Sequence, residues 1–156
     1  MEEPVVRRLI AVVVALPAIV LGASTAAMLG RAVPGAHPVW REEPVNLTEA
    51  AALRDQATVV RMIRRGEDPY RRRELRADLV FSEKMELTPL EAAIATQRAE
   101  IVEIILWSAP PPGAGVWNRA RCLASLEGDG GSGEVLDRYR PESAVLDCRG
   151  IERPWK

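Results

Sequence analysis

Histidine appears once in the 156-residue chain, at His37, and cysteine twice, at Cys122 and Cys148. A usual zinc centre wants four such ligands, so it is excluded. His37 stands between Ala36 and Pro38 and is expected to be a solvated linker residue. No G-x-S-x-G, P-loop or H-E-x-x-H pattern occurs, and no second histidine is available for a triad. The chain is therefore not expected to be an enzyme: no catalytic residue, cofactor, metal or small-molecule substrate is assigned. Carboxylates are numerous, but they scatter over helix positions expected to face solvent. Aromatic residues make up only 4% and the net charge is −1, so base stacking and a basic footprint are both lacking. Nucleic acid is excluded as a partner on those grounds.

What is abundant is Ala, Val, Leu, Ile and Arg, a mixture that favours helices with small-residue contacts over a β-sandwich. From Leu9 to Leu29 the chain reads LIAVVVALPAIVLGASTAAML, without a charge. A helix of that length spans roughly 30 Å, the thickness of a bilayer's hydrocarbon core. Residues 1–30 thus read as a single transmembrane helix. Gly22, Ala23, Ala26 and Ala27 give it a small face suited to packing on another membrane helix, or simply enough apolarity to insert. A cleavable signal peptide is the rival, with cleavage between Ala23 and Ala27. The apolar run continues past those residues to Leu29, which favours an uncleaved anchor. Arg7 and Arg8 against its start favour an N-in orientation. The rest of the chain is then expected on the non-cytoplasmic side, in a bacterium the periplasm.

Residues 31–46, RAVPGAHPVWREEPVN, carry three prolines and read as a stiff spacer. A self-similarity follows. Glu49-Ala50-Ala51 superposes on Glu91-Ala92-Ala93, which also brings Val59-Val60 onto Ile101-Val102 and Ile63 onto Ile105, all at an offset of 42. Each unit is a short helix with an alanine pair, a polar turn, and a longer helix with bulky apolar positions.

These residues resemble the ankyrin repeat. Thr88-Pro89-Leu90-Glu91-Ala92-Ala93 is similar to the family's T-P-L-H-x-A start, with Glu91 where histidine is usual. Ile101, Val102, Ile105 and Leu106 fit its second helix, and Gly66-Glu67-Asp68-Pro69 fits its close, with Gly66 at a left-handed position. A third, degenerate unit follows in Cys122–Leu126 and Gly133–Tyr139, joined by a long, flexible EGDGGSG stretch. The resemblance covers residues 47–140 and implies an all-α, short ankyrin-repeat solenoid, two repeats clear and one degenerate, behind the membrane helix. Residues 141–156 are expected to cap it.

The spacing exceeds the family's ~33 residues, so about nine residues are inserted between the first two units. Insertions in such arrays fall on one face, often the binding face. Within and beside this one lie Arg64, Arg65, Arg71, Arg72, Arg73 and Arg76. They are either a solvated face or a contact for an acidic partner or lipid head groups. Leu79, Val80 and Phe81 are expected as a short strand or a plug on the stack, or alternatively as an exposed contact patch, with Phe81 as its partner-binding candidate. Trp107 and Trp117 are expected between repeats, with a partner hot spot as the alternative and Trp107 as the candidate for it. Cys122 and Cys148 are candidates for a disulfide worth roughly 3 kcal/mol, and Cys122 also suits a small buried core position.

Two functions remain. One is a membrane-anchored scaffold that binds a protein partner at or in the membrane. The other is a structural accessory subunit of a larger membrane complex, with its transmembrane helix packed inside that complex.

Overall fold

The computed structural model describes residues 44–155. The transmembrane segment expected over 1–30, with Gly22, Ala23, Ala26 and Ala27, lies outside them, as do His37 and most of the linker. No helix among the described residues is long and apolar enough to cross a membrane.

The described chain is mostly helical, with six α-helices and one two-stranded sheet. The helices are α1 (Leu47–Ala52), α2 (Gln56–Arg64), α3 (Pro89–Ala95), α4 (Ala99–Ser108), α5 (Ala114–Glu127) and α6 (Gly130–Arg138). Strands β1 (Arg73–Leu75) and β2 (Met85–Leu87) intervene between α2 and α3. The helices pack as pairs. Across the pairs, α1 packs on α3 and α3 on α5, while α2 packs on α4 and α4 on α6. The result is two helical layers built from three stacked hairpins.

At six and seven residues, α1 and α3 are too short to persist alone. Their ends and packing hold them. Asn46 caps α1 by accepting the Glu49 N–H at 3.0 Å, and Thr88 caps α3 by accepting the Glu91 N–H at 3.0 Å. Glu91 reaches back to the Thr88 N–H, closing a capping box, and Pro89 occupies the first helical position. Ala50, Ala51, Ala92 and Ala93 are fully buried, so the inner layer packs closely on small side chains. Val59, Ile101, Val102 and Ile105 supply the bulk from the outer layer. Burying each contributes about 2 kcal/mol.

The 42-residue offset does not run through both units. It holds at the caps, Asn46 to Thr88. From the turn onward it is 43, because α3 is one residue longer than α1. The turns themselves match: Arg54 (φ 64°) and Gln97 (φ 53°) both adopt the left-handed conformation without being glycine. Gly66, after α2, adopts φ 92°.

The insertion holds the sheet. β1 and β2 pair antiparallel with Arg73 opposite Leu87 and Leu75 opposite Met85. Leu75 and Leu87 are fully buried, which pins the register. Leu79, Val80 and Phe81, expected as a strand or plug, belong to neither strand. Asp78 is in the left-handed region (φ 63°) and donates its N–H to the Phe81 carbonyl at 2.8 Å, which turns the chain there. Leu79 and Phe81 are half-buried against the core, and Val80 is exposed.

The third pair is more regular than expected. The EGDGGSG stretch is not a long linker. Gly128 (φ 68°) ends α5, Asp129 caps the next helix by accepting from the Ser132 N–H, and the remaining glycines lie inside α6. Gly131 has a reason to lack a side chain, since a Cβ there would sit 3.2 Å from the Ala99 Cβ of α4. Trp117 is buried in α5 and donates its indole N–H to the Leu136 carbonyl at 2.7 Å. The C-terminal residues run along α5. Asn118 donates to the Asp147 carbonyl and accepts the Asp147 N–H, Cys122 is bonded to Cys148, and Trp155 donates to Glu127.

Candidate functional site

Two carboxylates sit at the third position of α1 and of α3, and both are buried, against the expectation that acids face solvent. The reason is local. A glutamate three residues into a capped helix turns its side chain back over the helix start, where N–H groups are free. A buried charge then needs cations, and arginines from distant segments supply them.

Glu49 is closed. Its Oε2 accepts the Val45 N–H at 2.8 Å. Arg76, from just beyond β1, forks onto both carboxylate oxygens at 2.7 and 2.9 Å. Burial pushes the Glu49 pKa up, but Arg76 and the Val45 N–H outweigh it, and the net effect is a pKa below the usual 4.5.

Glu91 is arranged differently. Its Oε2 accepts the Thr88 N–H at 3.0 Å, and its Oε1 accepts from two arginines at once. Arg72, just before β1, comes within 3.3 Å, and Arg119 of α5 within 2.5 Å. Each guanidinium gives this carboxylate a single contact, and neither has another partner among the described residues. The pair also lines a cleft of about 330 Å³ between the second and third helical pairs. Leu90, Val116, Ala120 and Tyr70 form its apolar part. Burial, together with Asp68, pushes the Tyr70 phenol up to about 12, and its hydroxyl donates to the Pro110 carbonyl at 2.7 Å. It stays neutral at physiological pH and ties α4's end to the cleft wall.

The six arginines noted in the sequence do not act as one patch. Arg72 and Arg76 serve the buried glutamates, and Arg73 pairs with Glu67 at 3.7 Å. Arg64, Arg65 and Arg71 are exposed and have no ion-pair partner among the described residues. Phe81 is half-buried rather than presented. Trp107 is not inter-repeat packing: it is 71% exposed near the end of α4, because the buried face of that helix runs through Ile101, Val102, Ile105 and Leu106 and leaves position 107 outside it. Trp117 is the packing tryptophan, with the Arg140 guanidinium 5.3 Å above its ring.

Sequence reasoning missed Arg119 and the burial of Glu49 and Glu91. The signal for the glutamates was present in Asn46-x-x-Glu49 and Thr88-x-x-Glu91, the spacing of a capping box. Nothing local marked Arg119. Among the described residues no group of His, Cys, Asp and Glu side chains is placed to hold a metal ion. The arrangement is suited to binding an anion or a polar group beside an apolar one. No known protein family, curated protein or solved structure matches the chain.

Proposed function

We propose that this chain is a non-enzymatic recognition scaffold of the ankyrin-repeat type, tethered to a membrane through residues 9–29 and binding a protein partner there. The observation that carries this reading is the recurrence of one local design in successive hairpins. α1/α2 and α3/α4 share a capped start, a glutamate at the third position, a buried alanine pair and a left-handed turn residue. Units of that kind stack to expose loops and helix edges along the array, and such surfaces bind rather than catalyse. The Arg72–Glu91–Arg119 cleft and the exposed Trp107 offer contact chemistry for a protein. The bond between Cys122 and Cys148 is consistent with an oxidising compartment such as the periplasm. A membrane tether would restrict the search for the partner to two dimensions and raise its effective concentration.

The test is extraction of native membranes in mild detergent, capture of the full chain through a C-terminal tag, and mass spectrometry of what accompanies it. A partner that leaves at moderate salt supports the scaffold. A fixed stoichiometric set of membrane proteins that survives salt would instead make the chain a structural subunit. A tagged chain recovered from the soluble fraction, with its N-terminus near Ala26, would remove the tether.

A further inference from the structure

We propose that the cleft between the second and third helical pairs binds the C-terminal carboxylate of a partner chain whose last side chain is apolar. This rests on the scaffold reading and names the chemistry that the scaffold recognises.

The first support is charge. The cleft contains one carboxylate, Glu91, and two guanidiniums, Arg72 and Arg119. Glu91 is 5% exposed and already spends one oxygen on the Thr88 N–H. One cation would neutralise it, as Arg76, the one cation paired with Glu49 among the described residues, does there. The second cation is a surplus, held at the wall of an open cavity.

The second support is valence. A guanidinium has five donors and prefers to fork onto a carboxylate. Arg76 does so, whereas Arg72 and Arg119 each give Glu91 one contact, leaving at least one edge of each uncommitted. The two side chains remain 47% and 37% exposed. A carboxylate entering the cleft would receive charge-assisted hydrogen bonds from groups already held in place by Glu91, so little side-chain entropy is lost on binding.

The third support is the rest of the lining. Val116, 37% exposed, and the half-buried Tyr70 present hydrocarbon next to the guanidiniums, with the buried Leu90 and Ala120 behind them. A terminal residue carries its carboxylate and its side chain on one carbon, so both can enter one cavity of this size. An internal Asp or Glu would bring two flanking peptide groups to an apolar wall that offers them no partners.

The experiment is a titration of the full chain in detergent micelles, carrying isotope-labelled arginine and valine, with N-acetyl-leucine. Chemical shifts of the Arg119 Nε–H and the Val116 methyls are the readout. Saturable shifts at both are expected, with affinity at least tenfold weaker for N-acetyl-leucine amide. Arg119→Gln should weaken N-acetyl-leucine by a similar factor, and Arg72→Gln serves if that variant does not fold. Arg64→Gln, on the exposed end of α2, should leave the affinity unchanged. Equal binding of acid and amide, or no shift at all, would overturn the proposal. So would an equally tight peptide amide carrying an internal Asp beside its Leu.

The two readings fail separately. A captured membrane partner that is indifferent to Arg119→Gln and to N-acetyl-leucine would retain the scaffold and overturn the cleft. Binding of N-acetyl-leucine by a chain that captures no partner would retain the cleft and overturn the scaffold.

Discussion

Glu49 and Glu91 occupy the same place in successive helical pairs, yet one is sealed and the other is open. Both lie at the third position of a capped inner helix, both are buried, and both reach back to an N–H at the helix start. They differ in what arrives from elsewhere. Glu49 meets one arginine with two prongs, and its charge and geometry are satisfied. Glu91 meets two arginines with one prong each, beside a cavity. The difference follows from what the next inner helix carries. α3, which packs on α1, has no arginine, whereas α5, which packs on α3, brings Arg119 to Glu91. One local design is therefore sealed in one helical pair and left beside an open cleft in the next.

The largest effect separates the cleft from the covalent tie beside it. Replacing both Cys122 and Cys148 with alanine should lower stability by about 3 kcal/mol in urea unfolding, because it frees a loop of sequence separation 26 in the unfolded chain. Arg119 lies on the same helix but is positioned by Glu91. N-acetyl-leucine binding should therefore survive, and its loss would mean that the tail rather than the paired arginines keeps the second site open.

Next in size is the loss of a single arginine. Arg76→Gln strands a fully buried carboxylate and should cost about 2 kcal/mol, less than the roughly 3–5 kcal/mol for breaking a fully buried pair because Arg76 itself is partly solvated. Arg119→Gln leaves Glu91 with Arg72 and should cost less than about 1 kcal/mol. Equal losses in denaturant midpoint would erase the distinction between the two sites.

Acid should act on the first site in a defined direction. The Glu49 pKa is lowered on folding, so the folded chain binds fewer protons than the unfolded one between the two values. Its stabilisation is complete above the usual 4.5 and is lost as pH falls through the folded value. Asp55, whose pKa is lowered mainly by the Thr58 N–H, behaves in the same way. Unfolding free energy should thus fall as pH drops below about 4.5, and Arg76→Gln should make that slope shallower but not flat. An unchanged slope in the variant would show that Arg76 does not hold the Glu49 charge.

The smallest expected effect is a similarity. Asn46→Ala and Thr88→Ala each remove one side-chain cap and should each cost about 1 kcal/mol, Asn46→Ala slightly more because it also loses an exposed bond to the Glu74 carbonyl. Matching values would place the difference between the sites in the arginines alone. A large disparity would place it in the helix starts.

Much of this was legible in the chain itself. The Glu-Ala-Ala recurrence, the Thr88-Pro89 start and Gly66 are short-range signals, because a cap, a first turn and a left-handed residue involve neighbours within four positions. The insertion was legible as extra length but not as a hairpin. Its two strands are three residues each and hold their register through Leu75 and Leu87, whose burial depends on the helices above them. The third pair was under-read because Gly-rich composition resembles a linker, whereas packing against α4 demands a small residue at Gly131.

By itself, then, the sequence determined the helical hairpins, their caps, the alanine contacts and a pair of equivalent glutamates, since all of these depend on local spacing and propensity. Only the tertiary structure decided which arginine meets which glutamate. Arg76 lies 27 residues from Glu49 and Arg119 lies 28 from Glu91, separations over which sequence carries no geometry. The stacking of α3 on α5 brings Arg119 within reach, and that contact makes Glu91 a shared carboxylate at an open cleft rather than a second copy of Glu49.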